Sequence, residues 1–593
     1  MNRNFKMAAA GISLVGAMAL NPLSAAMKPG DYLNGQWGNV DGGGRGLNLT
    51  YASGPDGNGV LFGLVFGFNE AGEDTWVQVQ NPMLENQFEA SGVILRNSGG
   101  SFASAQEVSR DPIGSYTVSL NSCSNITYSF DFDDGVDIED ATWELDFLSD
   151  RVTGQFPQCV YKEEFTGCPA FSQTVSAAER VCQLSGRFLN EDITLTNDIT
   201  WLLSGTVEIG GDNTDSSTLT IEPGTTIIGS GQTDDFLWVA RGSKIFANGA
   251  PNAPIVLTSP FDNFVEGDIP LPGDVGGVAI AGNAPCNSAN AQGDCFSEFA
   301  RGDQVLAYGG DDPADSSGSI SYFQIRYAGI VVADNQEINA WTFLGAGNGT
   351  NVDHIQAYQG SDDGVEFFGG TVNVRYAVFT AGQDDSIDWD EGYSGKVQYA
   401  LIAYGNEDGD HGFESANNPE NDDALPRATP ILSNITLIGA PGTGEGIRFK
   451  EGTAGQVWNS VVTGFDSSCL HLTDLPTYVA AGTPEAPTGI TAFAGVILDD
   501  CGNQVFRQDD GAPWDLADFF NAFPGNQVVD PLLIGFQPAP ASPARTGGLR
   551  VVDLETGEPV EFFDNTTFRG AFDGKRDWTE GWTFDPLGLD VGQ

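Results

Sequence analysis

Between Tyr32 and about Thr174 apolar and polar residues alternate in short runs, as in Leu47, Leu49 and Tyr51 and again in Leu64, Phe66 and Phe68. A period of two, broken by Gly, Asn and Asp, is the pattern of half-buried β-strands. It predicts an antiparallel β-rich domain over residues 27–180 whose tryptophans, Trp37 and Trp76, fill its core. The alternative is that the two rings form an exposed platform of the kind that stacks on sugars. From Val181 the pattern becomes a repeat, and Leu219–Gly229 aligns with Leu237–Ala247 at an offset of 18 residues. Coils of about 18–25 residues with β-branched strands and Gly or Asn at their corners suit a parallel β-helix, because inward side chains then stack about 4.8 Å apart. Tyr322, His354, Tyr376, Tyr399, Asn434 and Asn459 recur at equivalent places in this pattern. The expected fold is therefore all-β: a right-handed parallel β-helix (a solenoid) over 181–500 after the small antiparallel domain. C-terminal coils and a cap follow over 501–593, with Trp578–Trp582 covering the last coil.

Composition narrows the function. A chain of 593 residues has room for two or three domains, and its 77 Gly and 30 Pro argue against a mostly helical protein. With 25 Lys and Arg against 81 Asp and Glu, the net charge of −56 repels phosphate backbones and anionic headgroups, which argues against nucleic acid as a partner. Arg3 and Lys6, the apolar run Met7–Leu20 and the small residues Ser24, Ala25 and Ala26 read as a signal peptide over 1–26. No later apolar run reaches the roughly 18 residues a membrane-spanning helix needs. The expected location is outside the cytoplasm: periplasm, outer surface or medium. Cys123, Cys159, Cys168, Cys182, Cys286, Cys295, Cys469 and Cys501 are even in number and fall into near neighbours, which suits disulfides in an oxidising compartment better than a zinc site. Their pairing stays open.

The chemistry concentrates in an acidic motif. Asp362-Asp363-Gly364-Val365-Glu366 recurs as Asp384-Asp385-Ser386-Ile387-Asp388 and as Asp410-His411-Gly412-Phe413-Glu414. Glu445 to Arg448 and Ser468 to His471 extend the register. One column reads Asp363, Asp385, His411, Glu445, Ser468; a second, three residues on, reads Glu366, Asp388, Glu414, Arg448, His471. Odd spacing puts the columns on opposite faces of a strand unless a corner bends the chain, and the sequence leaves that open. Carboxylates on neighbouring coils would lie about 5 Å apart and repel by a few kcal/mol at an effective dielectric of about 20. Some keep their protons, or a cation lies among them, or the Asp residues cap turns and face water. Hard oxygen donors favour calcium, with Asp362, Glu366, Asp388, Asp410 and Glu414 as ligands. Trp389 and Tyr393 beside them are the expected contacts for a glycan, whereas His354 and His471 are expected as stacked or hydrogen-bonded interior residues.

Two resemblances bear on this reading. Glu222-Pro-Gly-Thr225, Ala247–Val256 and Glu366-Phe-Phe-Gly-Gly370 resemble secreted right-handed parallel β-helix proteins of Gram-negative, often marine, bacteria, over roughly residues 190–590. Asp363, Asp384-Asp385, His411-Gly412 and Arg448-Phe449-Lys450 resemble the signature of polygalacturonase-type glycoside hydrolases. That likeness implies an inverting hydrolysis in which Asp385 is the acid, Asp363 and Asp384 serve the water, and His411, Arg448 and Lys450 position substrate. The expected function is a secreted or surface protein that binds calcium and an extended polysaccharide; the alternative is a polysaccharide hydrolase or lyase built on the same ladder.

Overall fold

The computed structural model describes eight strands between Gly35 and Phe147 with parts of their connections, and residues 165–584 apart from 166, 178–179, 232–234, 263–268, 302–303, 334–335, 406–408 and 503. The expected signal peptide and Cys123 and Cys159 lie outside the described residues. The chain forms two compact units, Met1–Phe147 with Gln158–Lys162, and Leu148–Pro157 with Glu163–Gln593.

In the first unit β1 (Gly35–Gly38), β2 (Gly46–Ser53), β3 (Gly59–Phe68), β4 (Asp74–Met83), β5 (Glu89–Ser101), β6 (Ser104–Ser122), β7 (Asn125–Phe132) and β8 (Ala141–Phe147) each pair antiparallel with the next. β8 returns to β1, with Phe147 opposite Trp37, so the sheet closes into a barrel. Alternate residues fill its interior: Leu47, Leu49, Val65, Val77, Val79, Ile94, Tyr116, Val118, Ile126, Tyr128 and Phe130. Trp76 is not among them. It directly precedes the inward Val77, so the alternation turns it outward, where it is 47% exposed opposite Phe66, itself 45% exposed. The side chain of Trp37 lies outside the described residues.

The second unit is a parallel β-helix. Its middle coils each supply one long bent strand and one short strand. The long strands Gly318–Arg326, Asn351–Tyr358, Asn373–Thr380, Lys396–Ala403 and Ile431–Ile438 stack in parallel and in register. Each bends at a residue of left-handed backbone, Tyr322, His354, Tyr376, Tyr399 or Asn434, with φ between 48° and 63°. The two arms of the bend belong to two sheets, and the short strands build the third. Left-handed backbone is costly outside Gly and Asn. Here the rings at the bends stack on one another, Tyr322 on His354 at 4.2 Å, His354 on Tyr376 at 4.5 Å and Tyr376 on Tyr399 at 5.0 Å, which offsets part of that cost.

The chain after the last paired strands departs from expectation. Residues 529–584 do not cap the final coil but run back along the bends. Asn459 donates to Leu549, Asn434 to Phe568 and Gly570, Gln356 to Phe584 and Gln324 to Trp582. Trp582 packs edge-on against Tyr322 and His354, and Trp578 against Tyr376. The cause is polar satisfaction: buried side-chain amides at or beside the bends need partners, and the returning backbone supplies them. The end of the core is covered instead by the helix Leu516–Asn521, whose Phe520 packs on Phe493 and Phe506. Paired strands continue past residue 500 to Gln504–Gln508 and Gln527–Val528. At the other end Cys168–Cys182 and the strand Gln173–Ser176 tie the chain before residue 180 to the helix unit. Cys286–Cys295 and Cys469–Cys501 are also bridged.

Candidate functional site

The short strands Val365–Phe368, Ile387–Asp390, His411–Ser415, Glu445–Phe449, Ser468–Leu472 and Gln504–Gln508 lie side by side and parallel. Their register pairs Glu366 with Asp388, Asp388 with Glu414, His411 with Glu445, Glu445 with Ser468, and Arg448 with His471. Asp363 and Asp385 sit in the turns just before their strands and are linked through the backbone. The Asp385 N–H donates to Asp363 Oδ1 at 3.1 Å, and the His411 N–H donates to Asp385 Oδ1 at 2.7 Å. Both columns are therefore vertical, and both face the same way. The turn swings the first column round, so that His411 Nδ1 lies 2.9 Å from Asp385 and 3.8 Å from Glu414. Between the columns, Phe413, Ile447 and Leu470 point into the core.

The upper ladder is an ion-pair network. Glu414 accepts from Lys450 at 2.6 Å and from Arg448 at 3.0 Å, and Arg448 Nη1 lies 3.4 Å from His411 Nε2. Glu445 accepts from His471 at 2.7 Å and from Arg507 at 2.6 Å. Burial pushes both glutamates up, but the cations around them prevail: Lys450, His411 and Arg448 hold Glu414 low, and His471, His411 and Arg507 hold Glu445 low. Burial likewise opposes the charge on Lys450, yet Glu414 takes it to about 12. Arg507 continues the second column opposite His471, one coil beyond the sequence reading, and the same register could have found it. Arg507 and Ser467 also line, with Thr443, Asp466 and Gln504, an opening of about 440 Å³ beside Glu445.

The lower ladder is short of cations. Oxygens of Asp363, Glu366 and Asp388 lie within 4.8 Å of one another, as do those of Asp362, Asp363 and Asp384, and those of Asp384, Asp385 and Asp410. Burial raises the carboxyls of Asp363 and Asp388 well above the ordinary carboxylate range, and neighbouring acids raise them further: Asp385 and Asp362 for the first, Glu414 and Asp385 for the second. Glu366 accepts from Asn339 at 2.6 Å, whereas Asp388 Oδ1 is buried with no hydrogen-bond partner.

The structure thus divides the sequence-predicted set. Glu366 and Asp388 converge with Asp363, a residue expected to be catalytic. Asp362 and Asp410 belong to two neighbouring acid groups. Glu414 forms a further group with Asp385 and His411, their ligand atoms within 4.8 Å of one another, and it is also engaged by Arg448 and Lys450. Trp389 and Tyr393 cannot meet a glycan: they are 0% and 1% exposed. Trp389 lies between the outward Asp388 and Asp390, so parity turns it inward, where its Nε1 donates to Thr453. Tyr393 stacks on Phe367 at 4.2 Å and donates to the Val372 carbonyl. An inverting pair needs about 6.5–9.5 Å between carboxyl groups to admit water. Asp384 and Asp385 offer oxygens within 4.8 Å, and Asp385 Oδ1 is already engaged by both nitrogens of His411 named above.

Residues 186–497, more than half of the chain, match the family described as the pectate-lyase-like β-helix domain. The chain belongs to this family. The match covers the whole lower ladder and the upper one as far as His471, which places the charged face inside the family domain and the barrel outside it. Comparison with curated proteins and with solved structures gave no match. Among the described residues no helix is long and apolar enough to cross a membrane.

Proposed function

We propose that this protein is an exported polysaccharide-binding β-helix protein whose short-strand face lies along an extended glycan and holds a calcium ion between Asp363, Glu366 and Asp388. The observation that carries the reading is the buried, unpartnered Oδ1 of Asp388 within a group of three oxygen donors. A proton on each acid would relieve the repulsion singly; one hard cation relieves it for all three, and oxygen-only donors select calcium over zinc. Above this group, Arg448 and Lys450 present partly exposed cations in line with the coils, the arrangement that positions hydroxyl and carboxylate groups of a long polymer. With a net charge of −56 the protein repels an acidic glycan except where such cations stand. Family membership and the three disulfides among the described residues support a polysaccharide partner met outside the cytoplasm.

Cleavage of the same polymer is the second reading. It is favoured by carboxyls of opposite tendency on one face, the pKa values of Asp363 and Asp388 raised by burial and neighbouring acids and those of Glu414 and Glu445 lowered by the cations around them, the separation acid–base chemistry requires. Incubation with a panel of neutral and acidic polysaccharides, with and without a chelator, distinguishes the two. Retention that needs calcium, without new reducing ends or unsaturated products, is the expected result. Turnover that Asp385→Asn abolishes in a folded protein would establish cleavage instead.

A further inference from the structure

One position before the first column, successive coils carry Asp362, Asp384, Asp410, Gly444 and Ser467. The first three are carboxylates; the last two are small, and the face opens where they stand. Gly444 is required by close approach, since a Cβ there would clash with the Asp410 carbonyl oxygen and lie 2.7 Å from its Oδ1. Ser467 turns to Arg507, accepting from its Nη1 at 3.1 Å. Here, at the last short strand of the face, Gln504–Gln508, lies the opening of about 440 Å³ lined by Thr443, Asp466, Ser467, Gln504 and Arg507. Pockets for small molecules span about 300–1,000 Å³.

The lining is polar throughout, and part of it is unengaged. Arg507 gives Nη1 to Glu445 at 2.6 Å and to Ser467, while its Nε and Nη2 have no hydrogen-bond partner among the described residues and its side chain is 49% exposed. The exposed amide of Gln504 likewise makes no hydrogen bond among them. Asp466 accepts the Gly442 N–H on Oδ2 at 2.6 Å, which leaves Oδ1 to an incoming donor. Thr443 closes its hydroxyl on Ala440. No aromatic ring lines the space, so an apolar guest gains little there. An anion finds no uncompensated cation, because the guanidinium is paired with Glu445 and Asp466 adds a further carboxylate. What remains is free donors on Arg507 and Gln504 facing free acceptors on Asp466 and Gln504. Hydroxyl groups, each a donor and an acceptor at once, match that set.

We propose that this opening holds one neutral pyranose unit, bound through neighbouring hydroxyls between the carboxylate of Asp466 and the guanidinium of Arg507, with the Gln504 amide serving either role. The proposal rests on the reading of the short-strand face as a glycan-binding surface and narrows it: the polymer presents a neutral sugar at this end of the face.

The test titrates the full chain, in calcium-free buffer, with the methyl pyranosides of glucose, galactose, mannose and xylose and with methyl galacturonide, followed by saturation-transfer NMR. At least one neutral pyranoside is expected to bind in the millimolar range, and the galacturonide more weakly than the galactoside. Asp466→Asn and Gln504→Ala should each weaken the tightest of them about fivefold or more, the size of one lost hydrogen bond. Gln504→Ala should melt with the native protein, since its amide supports nothing in the fold. Binding of no neutral pyranoside would overturn the proposal, as would binding that survives both substitutions. Tighter binding of the galacturonide than of the galactoside would make Arg507 an anion site and would overturn it too. These results are separate from retention of the polymer. A polysaccharide held by the face while no pyranoside binds removes the pocket alone; a pyranoside bound while no polysaccharide is retained removes the polymer reading alone.

Discussion

His411 sits where the two columns of the ladder meet, faced by Asp385, Asp410, Glu414 and Glu445 and by the guanidinium of Arg448. Burial alone would discharge it, but the hydrogen bond to Asp385 and the charges of Asp385, Asp410 and Glu414 more than offset that, and its pKa is raised. A histidine raised on folding gives stability that is whole below its unfolded value of about 6.5 and is lost as pH rises through the folded value. Glu414 has the opposite sign: its pKa is lowered, so its contribution stands above its unfolded value and disappears as pH falls through the folded one. His411→Asn is therefore expected to flatten the decline of melting temperature on the alkaline side of 6.5 and to leave the acid limb in place. An unchanged alkaline limb would show that His411 is not the group responsible. The residue is conspicuous in the sequence, standing where the neighbouring coils carry Asp, but its environment is not. Arg448 and Lys450 lie 37 and 39 residues further on, and only the register of the coils brings them alongside.

At the scale of the element, the short strand decides what faces out. The column register was legible because the Asp-Asp-Gly-Val-Glu motif repeats with little drift; the face was not, because Asp363 and Asp385 belong to turns, where strand parity does not apply. Parity does apply within Ile387–Asp390, and it already implied that Trp389 points inward between two outward acids. Its ring packs on Phe449 at 5.6 Å and on Phe413 at 6.2 Å. Trp389→Ala is thus expected to cost about 3–5 kcal/mol in denaturant unfolding, as large-to-small changes in cores do, with little change in glycan affinity per folded molecule. Selective loss of glycan affinity at native stability would return Trp389 to the binding surface. In the barrel the same rule of two turned Trp76 outward, against the expectation that a tryptophan in a strand fills the core.

For the whole molecule, the coil repeat and the equivalence of Tyr322, His354, Tyr376, Tyr399, Asn434 and Asn459 were readable from the chain because a β-helix writes its stacking into its spacing. The course of residues 529–584 was not, since it depends on side-chain amides in coils more than 100 residues earlier. This return segment ties separate coils together, so its anchors should matter to the solenoid as a unit. Trp582→Ala is expected to lower the melting temperature and to raise amide exchange at the bends around Tyr322 and His354, while exchange in the short strand His411–Ser415 stays near native. Uniform loss of protection along the solenoid would show that the segment is not a local clasp. The charged face lies on the third sheet, which the short strands form, and this is why its ion binding can be measured apart from the clasp.

Calorimetric titration of calcium into the metal-stripped native protein and into Asp388→Asn tests the central claim most directly. One site per chain at the ladder, lost or weakened at least tenfold in the variant while its circular dichroism is unchanged, is the predicted result. Equal calcium binding by the two proteins, or none by the native one, would contradict a cation held between Asp363, Glu366 and Asp388.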